Sequence, residues 1–226
     1  MAKAKRSNAA VVREEASHPP FETRELRKAL SAFLSQEDPA TGVRIGAYKV
    51  GVYAFFDYDG EPIYVGQTYE GVSSRIGRHL TGQRSDAVAK NVLDPFEVAE
   101  VEVWPLRQFQ GRRGPHARTA LNALEGAVFR AALKRSKFHA VLNEDTPRHQ
   151  RRSKLPKSFR GPIVSPEVRQ LRGHPDVRIA RRASTLARLA QVVSERKVSI
   201  GLRRTLMVQA QRLEWLAEER LKYLER

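Results

Sequence analysis

The sequence predicts an α+β fold in which a small antiparallel sheet is flanked by helices. Two runs rich in aromatic and β-branched residues, 47–57 and 62–67, lie on either side of the turn dipeptide Asp59-Gly60, a pattern typical of a β-hairpin. A short helix, a third strand and a longer helix are predicted after the hairpin, in that order. Few strands, with helices to cover them, indicate a domain built on a three-stranded antiparallel sheet.

The N-terminal part of the chain predicts one helix behind a disordered tail. Residues 1–20 form a polar, basic stretch that lacks periodicity and ends at Pro19-Pro20. Residues 21–46 are expected to form a helix and a linker, because apolar side chains recur there at a spacing of about 3.6 residues. The apolar stripe consists of Leu26, Leu30, Phe33 and Leu34.

Residues 47–147 hold the remaining elements of the predicted domain. Ser73 is suited to cap a short helix that ends near Gly82. The third strand is expected within 96–106, and the longer helix within 116–135.

The last part of the chain predicts a basic irregular arm followed by a helical hairpin. Four prolines in 148–175 argue against regular structure in the arm. The hairpin, 176–226, is expected as two helices over 176–198 and 202–225, separated near Gly201. An apolar seam on its second helix allows two arrangements, packing within the chain or contact between two copies in a homodimer. The seam is formed by Leu202, Leu206, Leu213, Leu216 and Tyr223.

The composition excludes several classes of protein. The chain has no cysteine, which rules out disulfides and thiolate zinc sites. No apolar run approaches the roughly 20 residues that a membrane-spanning helix needs. We therefore expect a cytoplasmic protein that has no membrane partner.

The distribution of charge predicts an acidic polymer as partner. The net charge is +16, and residues 148–226 alone account for +13 of it. Residues 47–147, by contrast, are nearly neutral. Such an asymmetry is typical of a module that binds nucleic acid attached to a module that acts on it. The alternative is a solvated helical surface that happens to be basic.

Glu125 interrupts an apolar face of the predicted helix at 116–135. It lies four residues after Leu121 and three before Val128, inside the stripe that these side chains form. A buried carboxylate without a partner is unfavourable, and a divalent cation such as Mg²⁺ or Mn²⁺ resolves the conflict. An ordinary ion pair with an arginine at the edge of the stripe is the alternative.

Arg75 and His79 are spaced to share one face of the short helix after the hairpin. A guanidinium is suited to stabilise charge on a phosphate, and an imidazole can transfer protons near neutral pH. The alternative is a basic surface helix.

The ordered set of these residues resembles the GIY-YIG nuclease family over residues 48–145. The resemblance begins with two tripeptides, Gly51-Val52-Tyr53 and Tyr64-Val65-Gly66, and continues with Arg75, His79, Glu125 and Asn143. It implies that Tyr53 takes a proton from the attacking water and that Tyr64 supports the water or the phosphate.

The resemblance also implies roles for the remaining site residues. Arg75 stabilises the transition-state charge with His79 beside it, and Glu125 holds a single divalent metal ion, Mg²⁺ or Mn²⁺. Asn143 braces the polar network of the site, and Asn122 and Asn91 are alternatives for this position.

The function expected from the resemblance is metal-dependent hydrolysis of double-stranded DNA by an endonuclease that resembles type II restriction enzymes. Alternatives are a repair, mobile-element or structure-selective nuclease of this family, or a non-catalytic DNA-binding protein that retains the fold. An RNA-associated basic protein is disfavoured, because the chain lacks aromatic-rich strands of the RNA-binding type. Basic side chains of the short helix and the arm are expected to contact DNA phosphates. These are Arg78, Arg148, Arg151, Arg152, Lys154, Lys157 and Arg160.

Overall fold

The computed structural model describes residues 19–80, 92–111, 114–147 and 154–226. Six α-helices and four β-strands lie within these ranges. In chain order they are α1 (Phe21–Ser35), β1 (Gly51–Phe56), β2 (Pro62–Thr68), α2 (Val72–Leu80), β3 (Glu100–Pro105), α3 (Pro115–Arg135), β4 (Phe159–Pro162), α4 (Pro166–Arg172), α5 (Pro175–Glu195) and α6 (Ile200–Leu224). Nearly all of the predicted disordered tail, 1–20, lies outside the described residues. None of the described helices is both long and apolar enough to span a membrane.

The strands form one antiparallel sheet in the order β2-β1-β3-β4. The predicted α+β class is confirmed, but the predicted number of three strands is wrong. The fourth strand, β4, pairs with β3 and lies in the segment predicted to be irregular, as does α4. Close packing explains why β4 contains a glycine, because a Cβ atom at Gly161 would lie 2.8 Å from the ring of Phe33 on α1.

Each face of the sheet has its own apolar core. Side chains such as Tyr53 and Val101 point to the face that α1, α2 and the C-terminal helices cover. Side chains such as Val52 and Trp104 point to the other face, where α3 packs with Leu121 and its neighbours. The hairpin strand β1 is therefore buried on both sides.

The C-terminal helices pack on the turn of the β-hairpin through buried ion pairs. Arg178 and Arg182 on α5 and Arg212 on α6 are each no more than 3% exposed. All three guanidinium groups contact Asp57, the first residue after β1. Part of the basic surplus of residues 148–226 is thus neutralised inside the protein.

The apolar seam of α6 packs largely within the chain. Leu202 and Leu216 are buried, Leu206 and Leu213 are half-buried, and Tyr223 is 71% exposed. Trp215 on the same helix packs edge-on against Phe138. Packing within the chain is therefore the arrangement found for most of the seam.

Candidate active site

A cleft of about 430 Å³ lies along β2, one of the two edge strands of the sheet. Four of the thirteen residues that line it are predicted site residues: Tyr64, Arg75, Glu125 and Asn143. Gly66, the glycine of the second tripeptide, also lines it. They come from β2, α2, α3 and the segment after α3. The fold thus brings together residues that are distant in sequence at one edge of the sheet.

The hydroxyl group of Tyr53 on β1 lies against Gly66 on β2. The two residues are direct partners in the β1–β2 register. A Cβ atom at Gly66 would lie 2.5 Å from the Tyr53 hydroxyl and 2.9 Å from the Tyr64 ring, which no side chain tolerates without movement. Glycine here therefore lets the Tyr53 hydroxyl reach the backbone of a strand that lines the cleft.

Tyr53, Tyr64 and His79 form an aromatic cluster on the same side of the sheet. The His79 ring centroid lies 5.7 Å from that of Tyr53 and 5.0 Å from that of Tyr64. The two tyrosine rings are 6.2 Å apart. Tyr53 and His79 are buried, whereas Tyr64 is partly exposed and lines the cleft.

Arg75 connects this cluster to the cleft. Burial acts to lower the pKa of Arg75, but electrostatic attraction to the ionised form of Tyr53, the hydrogen bond with Tyr53, and the electrostatic effects of Tyr64 and Glu70 raise it overall. Its guanidinium therefore stays charged beside both tyrosines.

Glu125 approaches the cleft from α3. Its neighbours Leu121, Leu124 and Val128 are buried, as the apolar stripe predicts. Burial raises the pKa of Glu125 to about 7, and the nearby charge of Arg75 opposes this rise. A carboxyl group that titrates near neutral pH in a cleft is typical of a functional site.

Asn143 braces the outer edge of β2. Its Oδ1 accepts a hydrogen bond from the Val65 nitrogen at 3.0 Å, and its Nδ2 donates one to the Val65 oxygen at 2.7 Å. The side chain thus satisfies the two backbone groups of Val65 that the edge strand leaves open. Of the alternatives, Asn122 accepts a hydrogen bond from Gln67, and Asn91 lies outside the described residues.

The cleft also contains acidic residues that the sequence did not indicate. Glu144 and Asp145 follow Asn143 and line its far wall. No periodicity or motif marks them, because they lie in a loop. Within the described ranges, no three histidine, aspartate or glutamate side chains cluster closely enough to hold a metal ion.

Two of the residues predicted to contact DNA form ion pairs within the protein. Arg78 pairs with Glu70 on the surface. Arg160 pairs with Glu100 at 2.7 Å, and its guanidinium lies over the Phe56 ring. Arg160 therefore belongs to the sheet and not to an extended arm, because β4 holds it against β3.

The remaining predicted DNA contacts divide into two groups. Lys154 and Lys157 are exposed. Arg148, Arg151 and Arg152 lie outside the described residues.

Residues 49–113 match the family model of the GIY-YIG catalytic domain. This part of the chain is a GIY-YIG domain. The match supports membership of the GIY-YIG nuclease family and includes both tyrosine tripeptides, Arg75 and His79. Glu125 and Asn143 lie beyond its end, so the fold is what connects them to the GIY-YIG domain. No curated protein and no solved structure matches the chain.

Proposed function

We propose that this protein is a divalent-metal-dependent endonuclease that cuts double-stranded DNA in the manner of a type II restriction enzyme. The observation that supports the proposal most is the convergence of Tyr64, Arg75 and Glu125 on one cleft, with Tyr53 directly behind it. A phosphodiester in this cleft meets a fixed positive charge, a carboxylate and the phenol of Tyr64, with the Tyr53 hydroxyl behind Gly66.

The side chains divide the work of hydrolysis between them. Arg75 binds the scissile phosphate, and its permanent charge stabilises the additional negative charge of the transition state. Tyr53, in its ionised form beside the Arg75 guanidinium, accepts the proton of the attacking water and becomes the neutral phenol, and Tyr64 orients that water or the phosphate. His79 packs on both rings and holds them in place.

Glu125 fits the role of metal ligand. Mg²⁺ and Mn²⁺ prefer oxygen ligands, and a partly buried carboxylate with a raised pKa gains stability when a cation replaces its proton. When bound, a divalent ion supplies charge stabilisation to the phosphate oxygens. Asn143 contributes indirectly, because it fixes the backbone of β2 at Val65, between Tyr64 and Gly66.

The proposal is tested with purified protein and long linear duplex DNA, with Mg²⁺, with Mn²⁺ and with excess chelator. Discrete fragments that require the metal are expected of a restriction-type enzyme. A smear indicates a nuclease without sequence preference, and cutting confined to branched substrates indicates a structure-selective one.

A matched pair of variants separates this nuclease from a contaminant. Glu125→Gln should bind DNA but not cut it, whereas Glu70→Gln, at an exposed residue outside the cleft, should cut normally. DNA binding without cutting by the wild type under every metal condition would instead support a non-catalytic DNA-binding protein.

A further inference from the structure

We propose that the turn between α5 and α6 binds the phosphate backbone of DNA beside the catalytic cleft. The surface consists of Arg196, Lys197, Arg203 and Arg204 and is called here the α5–α6 basic turn. The proposal rests on the nuclease function, because it names the surface that holds the duplex next to the scissile phosphate.

The N-terminal half of α6 packs against residues that line the cleft. The Ser199 hydroxyl donates to Glu144 Oε1 at 2.7 Å, and a Cβ atom at Gly201 would lie only 1.9 Å from the Glu144 backbone oxygen. Two turns further along, Gln209 Nε2 donates to the Val92 oxygen at 3.1 Å. Both Glu144 and Val92 line the cleft, so α6 packs directly behind it.

The positive charges of the basic turn are not paired with acidic side chains among the described residues. Residues 196–204 contain four cations and no acidic residue, and all four cations are exposed. Among the described residues, none of the four forms an ion pair or side-chain hydrogen bond. Arg178, Arg182 and Arg212, by contrast, are buried in ion pairs with the hairpin turn.

The helical geometry places Arg204 near the cleft. Arg204 and Trp215 are eleven residues apart, about three full turns, so they share one flank of α6. Trp215 contacts Phe138 and Lys137, and this flank therefore faces the segment that runs on to Asn143 and the cleft. Arg204 lies three residues after Gly201, about 5 Å along the helix axis, which the length of an arginine side chain can span.

Nearby acidic groups limit where a phosphate can lie. Glu144 is held by Ser199, Asp145 is exposed at the rim, and Glu195 precedes the basic turn. Four exposed cations outnumber these three carboxylates. A duplex that places one phosphate in the cleft presents its neighbours along this surface, whose positive charge complements them.

The test is DNA binding by the full-length protein as a function of salt. A fluorescently labelled duplex is titrated with the Glu125→Gln protein, which binds without cutting, and with the same protein carrying Arg203→Ala and Arg204→Ala. Each lost phosphate contact lowers the slope of log K against log salt by about 0.9, so a decrease of about 1.8 is expected. The double charge-retaining change to lysine should restore most of the slope.

A matched pair of exposed cations on the far side of the sheet provides the control. Arg24 and Lys28 lie on α1, which packs on β4 at the edge opposite the cleft. Their joint change to alanine removes the same charge and should leave the slope within about 0.5 of the parent. In the protein that keeps Glu125, the Arg203→Ala and Arg204→Ala changes should leave the cleavage rate at saturating DNA nearly unchanged. They should raise the DNA concentration that gives half of the maximal rate.

The possible outcomes distinguish failure of the proposed phosphate site from failure of the proposed nuclease function. If the wild type cuts DNA and the Arg203/Arg204 variant keeps the parent slope, the basic turn is not a phosphate site and the nuclease stands. An equal decrease for the control pair would likewise overturn the proposal, since the effect would then come from net charge alone. If the wild type neither binds nor cuts DNA, the proposed function itself fails.

Discussion

Asp57 Oδ2 accepts a hydrogen bond from Arg212 Nη2 at 2.6 Å, although the two residues are 155 positions apart in the chain. Each side chain is only 2% exposed. Asp57 also binds Arg182 at 2.9 Å, and its other oxygen accepts from the backbone nitrogens of Asp59 and Glu61. One carboxylate therefore shapes the hairpin turn and anchors both C-terminal helices to it.

Asp57→Asn should destabilise the protein strongly. The change leaves buried arginines without their shared counter-charge, and loss of one partner of a buried ion pair costs about 3–5 kcal/mol. Urea denaturation should show the loss as a lower midpoint. Glu70→Gln, which breaks the exposed pair with Arg78, should lower the midpoint far less, because solvent screens an ion pair on the surface. Equal effects of the two changes would mean that the Asp57 network does not hold the C-terminal helices in place.

Glu125→Gln should abolish cleavage without unfolding the protein. The amide keeps the size of the side chain but cannot neutralise a divalent cation, so metal binding should be lost with activity. Far-UV circular dichroism, a DNA binding curve and a cleavage assay check the three expectations. Full cleavage by this variant, or by the wild type in excess chelator, would contradict the metal role.

The raised pKa of Glu125 predicts how stability changes with pH. The pKa of Glu125 is about 7 in the folded protein and 4.5 in the unfolded chain, so the folded protein binds one more proton between these two pH values. The stabilisation of the fold by this proton is complete below pH 4.5. That contribution is lost as the pH rises through 7, because the carboxyl must ionise where it is partly buried. Unfolding of the metal-free protein from pH 4 to 8 should show this decline in the wild type relative to Glu125→Gln.

A divalent cation provides the control for the pH experiment. If Glu125 binds the metal, Mg²⁺ or Mn²⁺ should restore stability above pH 7 in the wild type and not in Glu125→Gln. Identical pH profiles for the two proteins would show that Glu125 is not the group that titrates.

Tyr53→Phe should slow cleavage at least about 10²-fold, because it removes the proton acceptor and little else. Arg75→Ala should have a comparable effect through the loss of charge on the transition state, and changes at Tyr64 and His79 should be weaker. Single-turnover rates at saturating DNA measure the chemical step. Tyr223→Phe, at an exposed residue on α6, is the control. Cutting by Tyr53→Phe at the wild-type rate would show that another group is the base.

Gly66→Ala should impair catalysis through the tyrosines. The new methyl group would lie 2.5 Å from the Tyr53 hydroxyl, so Tyr53 or Tyr64 must move. Gly77→Ala is the matched control, because its Cβ atom meets nothing within 4 Å in the middle of α2 and alanine favours a helix by about 0.5–1 kcal/mol. We expect Gly77→Ala to remain active and become slightly more stable. If Gly66→Ala cuts normally, close contact between Tyr53 and β2 is not required.

Local patterns in the sequence were enough to predict the hairpin and the helix that carries Glu125. Turn chemistry at Asp59-Gly60 sets the β1–β2 register, and periodicity over a few turns reveals which face of α3 is apolar. The likeness to GIY-YIG nucleases was visible for the same reason, since its two tripeptides belong to adjacent strands. Both signals arise within a few residues of chain, where covalent geometry dominates.

The sequence by itself determined the α+β class, the hairpin and the ordered set of tyrosines, Arg75 and Glu125. Only the tertiary structure decided that Phe159–Pro162 completes the sheet, because a four-residue strand with a glycine and a proline has no readable alternation. It also decided which of the described cations, from Lys154 onward, remain on the surface. Counting charges shows how many cations a segment has, but burial against Asp57 depends on elements 155 residues apart coming together, and no local pattern records that.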